Sequence, residues 1–119
     1  MKTHHDLTIW KKSIEFVTNV YQITKGFPKE EIYGLTNQLR RASVSIPSNI
    51  AEGAARKHNK EFVQFLFVAL GSASEIETQL VISKNLKFIG ENEYLKLNEE
   101  IVEIRKMLNG LIKSIKSKL

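Results

Sequence analysis

Cysteine is absent from the 119 residues, which excludes disulfides and thiolate metal sites and makes a cytoplasmic compartment the simplest expectation. Two prolines and six glycines leave room for few turns. No apolar run approaches the ~20 residues a membrane span needs; the longest is Phe65 to Leu70. The opening MKTHHDLTIWKK lacks the apolar core of a signal peptide, so no membrane partner is expected. Histidine occurs only at His4, His5 and His58, and Glu-x-x-His does not occur. The paired-metal chemistry of ferritin-like bundles therefore has no ligands, and neither a metal nor a cofactor is expected. Gly-rich phosphate loops, nucleophile elbows and Walker patterns are missing too. Glu75 and Glu77 are two apart and point to different helix faces, so they form no carboxylate pair. No enzyme is expected.

What is present reads as helix. Hydrophobic residues make up 42% and charged residues 26%, a globular balance, and the length suits one domain over residues 1–119 with 1–7 flexible. A first helix spans about Thr8 to Lys25, with Asp6 or Thr8 as N-cap. Its main stripe is Trp10, Ile14, Val17 and Tyr21, and a second is Phe16, Val20, Ile23 and Phe27. Gly26-Phe27-Pro28 ends it. A second helix, about Lys29 to Arg56, carries Ile32, Leu35, Leu39, Ala42, Ile46 and Ile50 on its core face, with Pro47 inside the run. An interior proline costs about 3 kcal/mol, so a kink is expected there, with Ser43 and Ser45 placed to bond freed carbonyls. A third helix, about Asn59 to Leu86, has Asn59 as N-cap and closes at Phe88-Ile89-Gly90. A fourth, about Asn92 to Ser117, has the stripe Tyr94, Leu97, Ile101, Ile104, Leu108, Leu111 and Ile115, with acidic residues preceding basic ones as the helix dipole prefers. The expected fold is all-α: an antiparallel up-down-up-down four-helix bundle, its second helix kinked at Pro47.

Two helices carry more apolar surface than one stripe requires. On the third, Phe62, Leu66, Ala69, Ala73, Ile76 and Leu80 make a core face. Beside it Val63, Phe67, Leu70 and Val81 form a flank joined by the small residues Gly71, Ser74 and Thr78. The alternatives are a thick monomer with this helix at its centre or a homo-oligomer using Phe67, Leu70, Gly71, Ser74 and Val81.

Net charge is +5, from 18 Lys+Arg against 13 Asp+Glu, which suits a polyanionic partner or an acidic protein face. A lysine-rich surface with no polyanionic partner is the plainer reading. On the second helix Gly34, Gln38, Arg41, Ser45, Ser48, Glu52 and Arg56 share one polar stripe. Arginine matches carboxylate and phosphate alike, so Arg41 suits a buried ion pair with Glu52 or Glu75 across a subunit interface, and Arg40, Arg56, Lys57 and Lys60 suit phosphates. Trp10 and Phe62 read as packing residues rather than base platforms, so any nucleic-acid contact would run through phosphates. The acid-free stretch Arg105 to Leu119 is the other basic candidate, or else a solvated helix end.

The block YGLTNQLRRASVSIPSNIAEG (Tyr33 to Gly53), the following Arg56, EFVQFLFVALGSASEIETQL (Glu61 to Leu80) and DLTIWKKS (Asp6 to Ser13) resemble the helical-bundle proteins encoded in intervening sequences of bacterial 23S rRNA genes. That family is similar to the accessory protein of diversity-generating retroelements. The resemblance implies a ring-like homo-oligomer, in the usual case a pentamer. For the retroelement branch it implies a basic surface that engages nucleic acid and a reverse transcriptase. Arg40, Arg41 and Arg56 match the family pattern; Lys57 and Lys60 come from the charge argument alone. Relatives often carry Arg before the Gly-Ser of the third helix, where Leu70 stands here. The expected function is a non-enzymatic oligomer that binds structured RNA or DNA through Arg40, Arg41, Arg56, Lys57 and Lys60. The alternative is a scaffold for a protein partner such as a reverse transcriptase, without direct nucleic-acid contact.

Overall fold

The computed structural model describes residues 3–119. A 3-10 turn at His4–Asp6 leads into α1 (Thr8–Thr24), and a second at Lys29–Glu31 precedes α2 (Leu35–Ala54). Then come α3 (Asn59–Asn85) and α4 (Glu91–Lys116), with no strand among the described residues. Connections this short turn each helix back along its predecessor, and α1 also packs on α4, closing an antiparallel four-helix bundle about 45 Å long. Of the terminal segment expected to be flexible, residues 1 and 2 lie outside the described residues. His4 and His5 set their rings edge-on against Trp10, at 5.1 and 4.9 Å.

The core is built from the stripes of all four helices. Phe16 and Val20, Leu39, Ile46 and Ile50, Leu66, Ile76 and Leu80, and Leu97, Ile101, Ile104 and Leu108 are fully enclosed. On α1 the expected order of stripes is reversed: Ile9, Ser13, Phe16, Val20 and Thr24 face inward, while Ile14 and Tyr21 are exposed. Both stripes are apolar, and the positions of α2 and α4 select between them. Ser13 and Thr24 are tolerated inside because their hydroxyls donate to the Trp10 and Val20 carbonyls.

α2 begins later than its apolar spacing suggests. Gly34 adopts φ −113°, ψ −119°, outside the helical region, so Lys29–Glu31 forms a separate turn and Ile32 stays exposed. The Glu31 carboxylate then accepts the Leu35 N–H at 3.1 Å, satisfying one free donor of the new helix. From there α2 is continuous to Ala54, with Pro47 inside it and buried. Neither serine serves the carbonyl that Pro47 leaves free. Ser43 donates to the Arg40 carbonyl at 2.9 Å, and Ser45 pairs with the Ser72 hydroxyl of α3, also at 2.9 Å.

The proposed N-caps differ as well. α1 starts behind Leu7 and α3 behind His58, neither with a side-chain cap, so Thr8 and Asn59 are first helical residues. At α4, Glu93 accepts the Gly90 N–H at 3.2 Å. The end of α3 is closed by Lys87 in the left-handed region (φ 63°), with the Phe88 N–H on the Ser83 carbonyl.

α3 is the one helix, among the described residues, long and apolar enough to cross a membrane by length and composition, its best window having a mean hydropathy of 1.4. In the bundle that apolarity divides between a face against α2 and α4 and a face left uncovered.

Gly53 is where α2 comes closest to α3. A Cβ there would lie 2.8 Å from Phe62 Cδ1 and 2.9 Å from Phe65 Cβ. Gly53→Ala should therefore lower stability by about 1–3 kcal/mol in urea unfolding, the overpacking outweighing a helix-propensity gain of about 1 kcal/mol. Gly110→Ala meets open space and should raise stability by about 0.5–1 kcal/mol.

Candidate nucleic-acid interface

In an antiparallel bundle the start of α1, the end of α2, the start of α3 and the end of α4 share one end. The α2–α3 connection there carries Arg56, Lys57, His58 and Lys60, and the last turns of α4 bring Lys113, Lys116 and Lys118 beside them. Two basic candidates separate in sequence thus meet in space. An open cavity of about 690 Å³ joins them, with Lys57, His58 and Lys60 on one side and Leu119 on the other. Lys116 Nζ sits 5.2 Å above the Phe67 ring, tying the end of α4 to α3. Arg56 is held by the Glu52 carboxylate at 2.7 Å and lies over the Phe65 ring at 4.9 Å. Lys57, Lys60, Lys113 and Lys118 are exposed and form no ion pair among the described residues.

Arg40 and Arg41 do not join this end. They precede Arg56 by four helical turns or so, ~24 Å along the axis. Arg40 Nε donates to Thr24 Oγ1 at 2.9 Å, Nη2 reaches the Tyr21 carbonyl at 3.4 Å, and the guanidinium covers the Tyr21 ring at 4.6 Å. Three contacts to α1 make it a clamp between α1 and α2. Arg41, one residue on, turns to the opposite side and lines a polar groove between α2 and α3. Within the chain it makes no ion pair with a described residue, and Glu52, one partner expected across a subunit interface, is held by Arg56.

The suspected contact residues of α3 remain largely open. Phe67 is 44% and Val81 42% exposed, Gly71 and Ser74 are exposed, and Leu70 is half-buried against the core. Val68 and Ile82 extend the same uncovered surface and were missed because they lie beyond the flank that the stripe pattern marks. Glu75, named as a partner for Arg41, does face the polar stripe of α2, whereas the places of Ser72 and Gln79 opposite it were missed, since no pattern in one helix names its neighbour. The α1–α4 seam is polar: Lys12 Nζ donates to Glu103 at 2.6 Å, which raises the lysine pKa above its ordinary value, and Asn19 donates to Glu100. Arg105 bonds Glu77 at 2.8 Å across α3 and α4. No group of three or more His, Asp or Glu capable of holding a metal occurs among the described residues.

The profile of the 23S rRNA-intervening sequence protein family matches residues 5–110. The chain belongs to that family. Its fold is similar to the crystal structure of a protein of unknown function from the S23 ribosomal protein family of Bacteroides thetaiotaomicron. The TM-score is 0.83 and the identity 27%, covering 89% of this chain and 99% of that one. No curated protein matches the chain. Neither the family description nor the neighbour's indicates a catalytic activity.

Arg40→Ala should destabilise the bundle by about 1–3 kcal/mol in thermal or urea unfolding, as Thr24 loses its charged donor and Tyr21 its cation. The same variant should leave the salt dependence of any RNA binding unchanged.

Proposed function

We propose that this family member is a non-enzymatic homo-oligomer that binds structured nucleic acid, RNA first, with the basic end of its bundle. The observation that carries the reading is the meeting of Lys57 and Lys60 with Lys113, Lys116 and Lys118 at one end, where Glu61 and the paired Glu52 are the nearby acids. Lysines held on rigid helix ends are suited to phosphates, and the Phe67 and Phe65 rings there lie under Lys116 and Arg56, which suits recognition of backbone shape over base stacking. Arg40 and Arg41 leave the phosphate set on geometric grounds, and the α4 lysines enter it.

Fluorescence anisotropy against a structured rRNA fragment at several salt concentrations tests this. Arg56→Ala, Lys57→Ala and Lys60→Ala together should flatten the slope of log affinity against log salt by up to about three units. An unchanged slope removes those residues from the interface.

The uncovered face of α3 supports the oligomeric part of the reading, in which Phe67, Leu70, Gly71, Ser74 and Val81 meet another copy in a ring, the pentamer that the family resemblance implies. Gly71 fits such a role, since beyond its own stretch of helix no atom of the described residues lies within 4 Å of where its Cβ would be, and a second backbone has room to approach. Rings would multiply the basic ends and strengthen binding through avidity. The same surface serves the second reading, a scaffold for a reverse transcriptase or another protein. Light scattering should return a multiple of 13.6 kDa, and Val81→Glu should reduce it toward the single-chain mass. A lone 13.6 kDa species at all concentrations would end the oligomer argument.

A further inference from the structure

The first part of the α2 polar stripe, from Gln38 to Ser45, has no role in the phosphate surface, yet it faces a built groove. Gln38, Arg41 and Ser45 from α2 oppose Ser72, Glu75 and Gln79 from α3 around an open cleft of about 390 Å³. That volume is within the range of small-molecule sites, about 300–1,000 Å³. Ser45 and Ser72 bond each other at 2.9 Å, and Asn49 donates to Ser45 Oγ, which fixes one end of the cleft. Arg41 and Glu75 line the cleft without forming an ion pair with each other or with any described residue. Gln79 is 5% exposed, and its Oε1 is sealed from solvent without a hydrogen-bond partner among the described residues. A buried amide oxygen left unpaired costs about 1–3 kcal/mol, so its persistence needs a reason.

We propose that this groove binds an unstacked guanine base, a reading that rests on the nucleic-acid function above. The donor and acceptor set selects the base. A carboxylate offers two adjacent acceptors, and guanine presents two adjacent donors, N1–H and N2–H, on its Watson–Crick edge. Arginine offers paired donors, and guanine O6 and N7 are paired acceptors. Glu75 therefore takes the Watson–Crick edge and Arg41 the adjacent Hoogsteen edge. Gln79 lines the wall beside Glu75, where its amide reports on a bound base. Adenine, cytosine and uracil each lack one of these adjacent pairs. Ala42 gives the base face an apolar surface.

Guanosine carries no phosphate, so it tests the groove independently of the basic end. It should be titrated into ¹⁵N-labelled protein in parallel with adenosine, cytidine and uridine. Guanosine alone should shift the side-chain amide signals of Gln79 and Gln38, and Glu75→Gln, at an exposed position, should weaken guanosine about tenfold. Three results would overturn the proposal: equal shifts from all four nucleosides, no shift at the groove while rRNA still binds with a steep salt slope, or movement of the same signals on raising protein concentration alone. The last would seat a second copy of the chain in the groove. Loss of rRNA binding with guanosine binding intact would instead remove the phosphate surface and keep the base site.

Discussion

The close approach of α2 to α3 is the contact on which the other features depend. Gly53 presses against Phe62 and Phe65 at the connection, and Ser45 meets Ser72 further along. With the two helices tied at these points, Ala69 and Ala73 bring the α3 backbone near the core without leaving voids. That seam orients α3 as a whole. It sends Leu66, Ile76 and Leu80 inward, opens the cleft around Gln79, and leaves Phe67, Val68 and Val81 uncovered. A slip along the seam would reassign all of these surfaces together.

Chain direction then sets the charge distribution. α3 and α4 place acidic residues in the first turn and basic ones in the last, α4 running from Glu91 and Glu93 to Lys113 and Lys116 along its own dipole. Antiparallel packing sums these local choices, so the lysines ending α4 reinforce those opening α3. The basic end is thus partly a product of helix electrostatics, and its use for a polyanion needs little beyond an excess of lysines over the nearby Glu61 and the paired Glu52. The arginines of α2 show the opposite case. Arg40 and Arg41 are adjacent in sequence and project about 100° apart on a helix, so one is taken up by Thr24 and Tyr21 while the other meets Glu75 across a groove.

Much of this was readable beforehand. Helix periodicity marks the core faces of α2, α3 and α4 almost residue for residue, because burying a stripe at three- and four-residue steps is the dominant stabilising term. Where two stripes compete, as Trp10–Tyr21 and Phe16–Val20 do on α1, one chain segment has no means of ranking them. Local backbone geometry was equally hidden at Gly34, where a permissive residue breaks a run that apolar spacing carries through.

The amino-acid order by itself determined four helices, their antiparallel sequence, the family and the presence of a surplus apolar face, since all follow from local spacing, short connections and residue type. The tertiary structure alone decided which face of α1 is inside, that Arg40 clamps α1 while Arg41 opens onto a groove, and that Lys57 and Lys60 share an end with Lys116 and Lys118. The physical reason is range. Helix periodicity is written within a few residues, whereas a groove or a charged end is made by residues tens of positions apart, whose meeting depends on how whole helices pack.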